Sequence, residues 1–383
     1  TTDVPVAGQN LAVVTGFMVF NHRTYPHFCR LLDLLGVPSQ RTEMSFSVCS
    51  EPAGLEYQGS SLAGLFAQRR NLVSPRFYRM LADIVRFNRQ ARSAQALTLD
   101  EGVTLGEFLR EHRYGAAFAR DYLTAMAAAI WSAPQEQILS FPARFLFRFF
   151  DHHGLLQIRD RPQWKTIPGG ARRYIEPLIR PFRDRVRLAC PIRAIRRFDD
   201  FVEVTPEGGA PERFDGLVLA AHADQALAML QDASEAERQV LGAFPYQANE
   251  ALIHTDTSVL PRRRRAWASW NYRVRESGRS SNEEAAAIVT YDLTRLQRLP
   301  VRVPVLATLN DGAAVDPACV LRRMQFHHPV YTPGSIAVQE CRGEIQGVRR
   351  TWFRGAYWGN GSHEHGVSSA LDVAKAYGTA MEP

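Results

Sequence analysis

Apolar residues fall into short blocks whose spacing changes along the chain. Leu11-Ala-Val-Val14 is strand-like and runs on through Thr15-Gly-Phe-Met-Val-Phe20, where Gly16 marks a bulge or a close backbone approach. From Tyr25 to Leu35, Phe28, Leu31, Leu32 and Leu35 share one helical face, and Gly36 ends the helix. Met44 to Val48 alternates as a strand does. Residues 60–150 carry helical spacing. Phe77, Met80, Leu81, Ile84, Val85 and Asn88 line one face of Pro75–Arg92, and Thr104-Leu-Gly-Glu107 opens a helix as a capping box. The aromatic run Phe141–Phe150 has two readings, core packing or the wall of an apolar substrate cavity with Trp267 or Trp270.

Beyond residue 183 the period shortens. Val186–Cys190, Ala194–Phe198, Phe201–Thr205 and Phe214–Leu219 are expected strands, with Pro206-Glu-Gly-Gly turning between two of them. Gly216–Ala221 has the unbroken apolar character of a buried parallel strand, and a helix starts at Ala223. Strands dominate 245–340. The chain closes with a strand at Val348–Phe353, a glycine-rich turn and an amphipathic helix from Gly366 to Tyr377. Strand-rich pieces at the start, middle and end therefore bracket a helical block and a second β-rich block. The expectation is a discontinuous domain of residues 1–58, 160–232 and 341–383 interleaved with one of residues 59–159 and 233–340.

Composition adds exclusions. The 383 residues carry a formal charge of +7, and 2 of the 46 basic residues are lysines, Lys165 and Lys375, leaving 44 arginines. That imbalance resembles a coding bias rather than selection for phosphate binding, so nucleic acid is not an expected partner. The densest run, Arg262-Arg-Arg-Arg265, is a solvated turn or a contact for anionic lipid or an acidic partner. Five scattered cysteines without a CxxC predict a reduced, cytoplasmic chain, with membrane-peripheral contact as the alternative. His152-His153 and His327-His328 are adjacent pairs, which point apart on helix or strand, so no metal site is expected. No apolar run has the length of a membrane span. Thr1-Thr-Asp-Val-Pro5 has neither the charge nor the apolar stretch of a signal peptide and reads as the middle of a protein.

The terminal segment carries the most chemistry. Gly355-Ala-Tyr-Trp-Gly-Asn-Gly-Ser-His-Glu-His-Gly366 holds four glycines ahead of a helix, so the backbone can approach something flat or phosphorylated, and the helix N-terminus favours negative charge there. The spacing is not GxGxxG. Together with Thr15–Pro26, Met44–Val48, Tyr246-Gln247, His254-Thr-Asp256, Trp267–Tyr272, Thr308-Leu-Asn310 and His328-Pro-Val330, this segment resembles the bacterial NAD/FAD-binding proteins of the flavin-containing amine oxidase superfamily. The likeness spans essentially the whole chain, in order.

The resemblance implies an α/β fold in which a Rossmann-like FAD-binding domain interleaves with a mixed α+β substrate domain. It implies Thr15, Gly16, Phe17 and Met18 beside the isoalloxazine and ribityl chain, Pro191 and Ile192 at the adenine, and Ala220 and Ala221 near the diphosphate. Gly355, Trp358, Gly359, Glu364, Gly366 and Val367 match the C-terminal flavin motif, with Gly366 and Val367 N–H groups favouring negative charge on the ring. The family's opening βαβ unit with GxGxxG has no counterpart here, as though the chain starts just after it. The family pattern also has Asp at Val14, Cys near Arg354, Tyr and Phe at Asn360 and Ser362, and Asp at His365. Ile167-Pro-Gly-Gly-Ala-Arg-Arg-Tyr174 resembles a Gly-Gly helix entry of the superfamily, read as a plain helix start or as a contact of Gly169-Gly170 with flavin or substrate.

The expected function is an FAD-dependent oxidoreductase taking hydride from a substrate C–H, on a lipid or fatty-acyl substrate. A small-amine oxidase and a non-enzymatic scaffold without flavin stay open. No nucleophile motif is visible and no catalytic residue is assigned, although His363 and Glu364 could tune the flavin or move a proton. The sequence sets neither the oligomeric state nor the electron acceptor.

Overall fold

The computed structural model describes residues 1–16, 18–93, 98–100, 102–158, 160–275 and 287–381. The chain opens with a hairpin of β1 (Thr2–Val6) and β2 (Gln9–Val13), turned by Ala7 and Gly8 at positive φ. Helix α1 (Pro26–Leu34) has Pro26 in its first turn and buries Phe28, Cys29 and Leu32. Strands β3 (Gln40–Arg41), β4 (Phe46–Ser50) and β5 (Leu55–Gln58) follow. The helical block is α2 (Leu62–Leu65), α3 (Pro75–Ala91), α4 (Leu105–Glu111), α5 (Ala116–Phe118), α6 (Thr124–Trp131), α7 (Gln135–Leu139) and α8 (Ala143–His152). The expected capping box is formed: the Thr104 hydroxyl accepts from Glu107 N, and the Glu107 carboxylate accepts from Thr104 N.

After β6 (Lys165–Thr166) and α9 (Arg172–Ile179) come β7 (Ile192–Arg197), β8 (Val202–Pro206), β9 (Glu212–Phe214) and β10 (Leu217–Leu219). Helices α10 (Ala223–Met229) and α11 (Glu235–Gly242) lead to β11 (Tyr246–His254), β12 (Trp270–Val274) and β13 (Ile288–Asp292). The rest is α12 (Leu293–Gln297), β14 (Leu306–Leu309), β15 (Val320–Pro329), α13 (Pro333–Ala337), β16 (Thr351–Phe353) and α14 (His363–Ala376). Val186–Cys190, expected as a strand, is irregular, with Val186 and Leu188 exposed and nothing apolar burying them. The expected strand over 348–353 is reduced to its last three residues, because Arg349 and Arg350 adopt positive φ.

Compact packing divides the chain into two units. One gathers Thr1–Thr24, Pro38–Arg173 and Ala248–His328, the other Tyr25–Val37, Tyr174–Gln247 and Pro329–Pro383. This division differs from the expected one: residues 1–24, 38–58 and 160–173 group with the helical block, and residues 233–247 and 329–340 with the other unit. The reason lies in strand pairing: β4 lies parallel to β12, with Ser47 opposite Asn271.

The first unit is built on a seven-stranded mixed sheet of order β15-β11-β14-β13-β12-β4-β5. A buried polar row crosses five of its strands. Ser47 Oγ donates to Asn271 Oδ1 (2.8 Å), and Asn271 Nδ2 donates to the Thr290 carbonyl (3.1 Å). The Thr290 and Thr308 hydroxyls pair at 2.8 Å, and Thr308 meets His254 Nε2 at 2.8 Å. Each bond contributes about 1 kcal/mol net, and its loss in a dry site costs more than that. The helical block has an aromatic core. Phe87 packs on Phe108, Phe118 and Phe147 at ring separations of 6.5, 5.3 and 5.5 Å, and Trp131 on Phe141 and Phe149 at 5.4 and 4.6 Å. Phe141, Phe147, Phe149 and Phe150 are buried against such rings, so this stretch serves as core.

The second unit holds an antiparallel β7-β8-β9 sheet and the parallel pair β10–β16. Leu219, Ala223, Ala226, Val240, Leu241, Phe244, Phe353 and Trp358 share its core. Arg197, fully buried, donates to both oxygens of the equally buried Glu237 and to Asp232 (3.0 Å). Among the described residues no helix is long and apolar enough to cross a membrane.

His254 yields a pH prediction. Burial pushes its pKa down to about 4. The unfolded chain takes up this proton below about pH 6.5 and the folded chain only near pH 4, so stability falls as pH drops through that window. The loss amounts to about 3 kcal/mol at most. Urea unfolding at pH 7, 5.5 and 4 is expected to show it, and His254→Gln is expected to remove this component of the acid sensitivity. An unchanged pH profile in the variant would rule out a neutral buried ring.

Candidate functional site

The sequence-predicted residues distribute over both units. In the first, Thr15, Gly16 and Met18 form an irregular bend after β2, and Phe17 lies outside the described residues. Gly16 is exposed, and a Cβ there would meet nothing within 4 Å. The Met18 carbonyl accepts from Thr166 Oγ1 (2.9 Å), which ties the bend to β6. Gly169 and Gly170 both have positive φ ahead of α9. A Cβ on Gly170 would stand 2.8 Å from Val14 Cγ2, so the close approach here is to the protein's own chain.

The second unit gathers the remaining ten. Exposed Pro191 precedes β7, its carbonyl accepting from Glu207 N (2.8 Å), and Ile192 packs against the core. Ala220 and Ala221 turn the chain from β10 into α10. Parallel to β10, β16 ends at Phe353, and the Arg354 N–H donates to the Leu219 carbonyl (2.8 Å). Gly355 N donates to Ser369 Oγ (3.2 Å), and the buried Trp358 ring donates Nε1–H to the Phe353 carbonyl (2.8 Å). At Gly359 the space of a side chain is filled by the His365 ring, since a Cβ would lie 2.1 Å from His365 Cδ2. The glycine is thus required by an internal contact.

Helix α14 corrects one expectation. It begins at His363, one turn's length earlier than read from the sequence, with Ser362 at its cap. Gly366 N accordingly donates to the Ser362 carbonyl (3.4 Å), and Gly366 and Val367 lie inside the helix rather than at its free end. The mid-sequence glycine concealed that start. The space beside Gly366 is open.

Glu364 and His363 have structural partners. The Glu364 carboxylate accepts from His27 N (2.9 Å) and Phe28 N (2.9 Å) at the first turn of α1, and meets His27 Nδ1 at 2.6 Å. It is an anion set on a helix N-terminus, the arrangement favoured by the helix dipole. The His363 ring lies edge-on to Phe28 (4.7 Å) and bonds the Tyr174 hydroxyl (3.0 Å). Burial pushes its pKa down to about 4, so it is neutral at pH 7.

One functional candidate was legible in the sequence only as a departure. Arg354 stands at the carboxyl ends of the two parallel strands and is 5% exposed. Its Nη1 donates to the Phe353 carbonyl (3.2 Å), while its Nε is buried without an acceptor. The available signal was an arginine between Trp352-Phe353 and Gly355, a polar residue inside an apolar stretch. This donor set fits an anionic dinucleotide: the cation lies where ligands of open α/β sheets bind. Among the described residues no cluster of three or more His, Cys, Asp or Glu side chains is arranged to hold a metal ion.

Known proteins place this geometry in a family. The model of the flavin containing amine oxidoreductases matches residues 8–297, and the chain belongs to that family. Its cofactor is FAD. No curated protein matches the chain in sequence. Among solved structures it is similar to a CLA-producing fatty acid isomerase from P. acnes, with 14% identity, TM-score 0.64 and coverage of 98% of this chain and 89% of that one. It is also similar to a putrescine oxidase bound to putrescine, with 13% identity, TM-score 0.63 and coverage of 98% and 90%. Cyclohexylamine oxidase from Brevibacterium oxydans gives 16% identity, TM-score 0.58 and coverage of 94% and 87%. At such identities these likenesses establish the fold alone, a mixed α/β architecture.

Glu364→Ala is expected to destabilise the protein by about 2–3 kcal/mol, since it strands two N–H groups of α1. Glu364→Gln, which keeps an acceptor, is expected to cost less. Amide hydrogen exchange over 26–34 and 363–370 should accelerate in the alanine variant, and unchanged protection there would count against the clamp.

Proposed function

We propose that this chain is an FAD-dependent oxidoreductase acting on a lipid or fatty-acyl substrate presented at a membrane surface. Bound flavin supplies a two-electron acceptor for a substrate C–H bond. The dinucleotide would be held in the second unit, by the turns at Pro191-Ile192 and Ala220-Ala221 and the segment Arg354–Val367.

One observation supports the lipid reading above the others. Arg69, Arg70, Arg263, Arg264 and Arg265 line a cleft of about 520 Å³. The short segments around it expose Leu62, Leu72 and Val73, the last at 81%. Glu56 accepts from Arg262 N (3.2 Å) and Arg263 N (3.3 Å) and so fixes the turn that carries three of these arginines. Arginines beside exposed aliphatic side chains match an anionic headgroup layer with acyl chains beneath it. A second reading, a small-amine substrate, draws on Trp270 and Tyr291, which pack edge-to-face at 5.0 Å. The His365 ring in the space at Gly359 is the feature that favours a scaffold without flavin.

Purified protein is expected to show flavin absorption and to bleach under anaerobic conditions with fatty-acyl lipid rather than with amines. Sedimentation with vesicles containing anionic lipid is expected, falling with salt and with Arg263→Glu/Arg264→Glu/Arg265→Glu. Bleaching by amines alone would transfer the assignment to an amine oxidase. Absence of flavin after reconstitution would favour the scaffold.

A further inference from the structure

We propose that Arg354 is the anion anchor of the nucleotide site, its guanidinium holding the diphosphate of FAD; this rests on the flavin reading above. Backbone pairing fixes where the side chain starts. Arg354 N is tied to the Leu219 carbonyl, so the residue leaves the sheet at the carboxyl ends of β10 and β16. Ligands of parallel α/β sheets collect at that end.

The side chain has no counter-ion. Among the described residues no carboxylate forms an ion pair with it. The acidic group that acts on it electrostatically, Asp372, is paired with Arg342 at 3.3 Å, and the charge on Arg342 opposes that of Arg354. Its single acceptor is the adjoining Phe353 carbonyl. Burial pushes its proton affinity down, the signature of a cation kept from water. A buried, unpaired guanidinium works against folding unless an anion completes it. The fork of N–H donors matches two phosphate oxygens at once.

Arginine at this place also bears on the sequence pattern. The family fingerprint for the diphosphate is a glycine turn at a helix N-terminus. A fixed cation supplies the same complement to negative charge by a different route, through the strand end rather than the first helix.

The test uses the apoprotein of the full chain with FAD, inorganic diphosphate and a fatty acid as probes. Arg354→Met is expected to weaken FAD binding about 50-fold, as loss of charge-assisted hydrogen bonds does. Arg354→Lys should recover part of that loss. Inorganic diphosphate should raise the Tm of the parent and not of Arg354→Met. The apo form of Arg354→Met should melt no lower than the parent, because an unpaired charge has been removed from the interior.

Equal FAD affinity in a folded Arg354→Met would overturn the proposal and leave the flavin reading standing. A lower apo Tm with FAD and diphosphate binding intact would make Arg354 structural and equally overturn it. If the parent takes diphosphate through Arg354 but no FAD, the anion site stands and the flavin reading falls. If a fatty acid, and not diphosphate, shows the Arg354 dependence, the site binds substrate carboxylate and the proposal fails. Binding of no probe by the parent overturns both.

Discussion

A single carboxylate organises the functional end of the chain. Glu364 accepts two backbone N–H groups from the first turn of α1, some 337 residues earlier in sequence, and is itself 7% exposed. Without such an acceptor the buried Phe28 N–H would be left unpaired, at the cost of its full desolvation, and the part-buried His27 N–H would lose its bond as well. The contact explains why Tyr25–Val37 packs with the C-terminal helix although its sequence neighbours on both sides belong to the other unit. It also sets the direction of α14: the edge contact between Phe28 and His363 and the bond from Tyr174 follow from the same docking. The segment Gly355–Gly361 is then suspended between two fixed ends, β16 and the capped start of α14.

The other unit depends on a different constraint, the pairing of distant strands. β4 and β12 lie side by side in parallel although more than 200 residues separate them, and the buried polar row at their junction continues to His254. Polar side chains inside a sheet restrict register, since a shift of one residue would turn each of them to the opposite face and strand its bonds. Apolar contacts alone would tolerate such slips more readily. The polar row therefore contributes specificity where the hydrophobic face contributes most of the stability.

How much of this could be read from the chain depends on whether the signal was local. Helix α3, the capping box at Thr104 and the helix after Tyr25 were legible because propensity, spacing and caps agree within a few residues. Val186–Cys190 alternates suitably but has no partner strand, and pairing is a tertiary property. The start of α14 was misplaced because Gly366 looked like an entry residue, whereas the serine at 362 and the contact of its hydroxyl with His365 lie at the real boundary. The aromatic run at 141–150 is composition-equivalent in a cavity wall and in a core. Only the neighbouring rings of Phe87, Phe108 and Trp131 distinguish the two. The site residues behaved alike: identity was visible, yet the roles of Glu364, Trp358 and Gly359 in internal packing depend on partners that no spacing shows.

Two buried arginines in the second unit differ in how their charge is compensated. Arg197 is wholly inside and has a carboxylate for nearly every donor it presents, from Glu237 and Asp232. Its charge is compensated, and the pair closes α11 against β7. Arg354, at nearly the same depth, meets one carbonyl and no carboxylate. Both are buried in the same unit of one arginine-rich chain, so composition cannot explain why one is paired and the other is not. A fold that places two carboxylates on Arg197 is able to compensate an interior cation. That it leaves Arg354 uncompensated at the end of the strands where ligands bind is the arrangement expected when the missing charge arrives from outside the polypeptide.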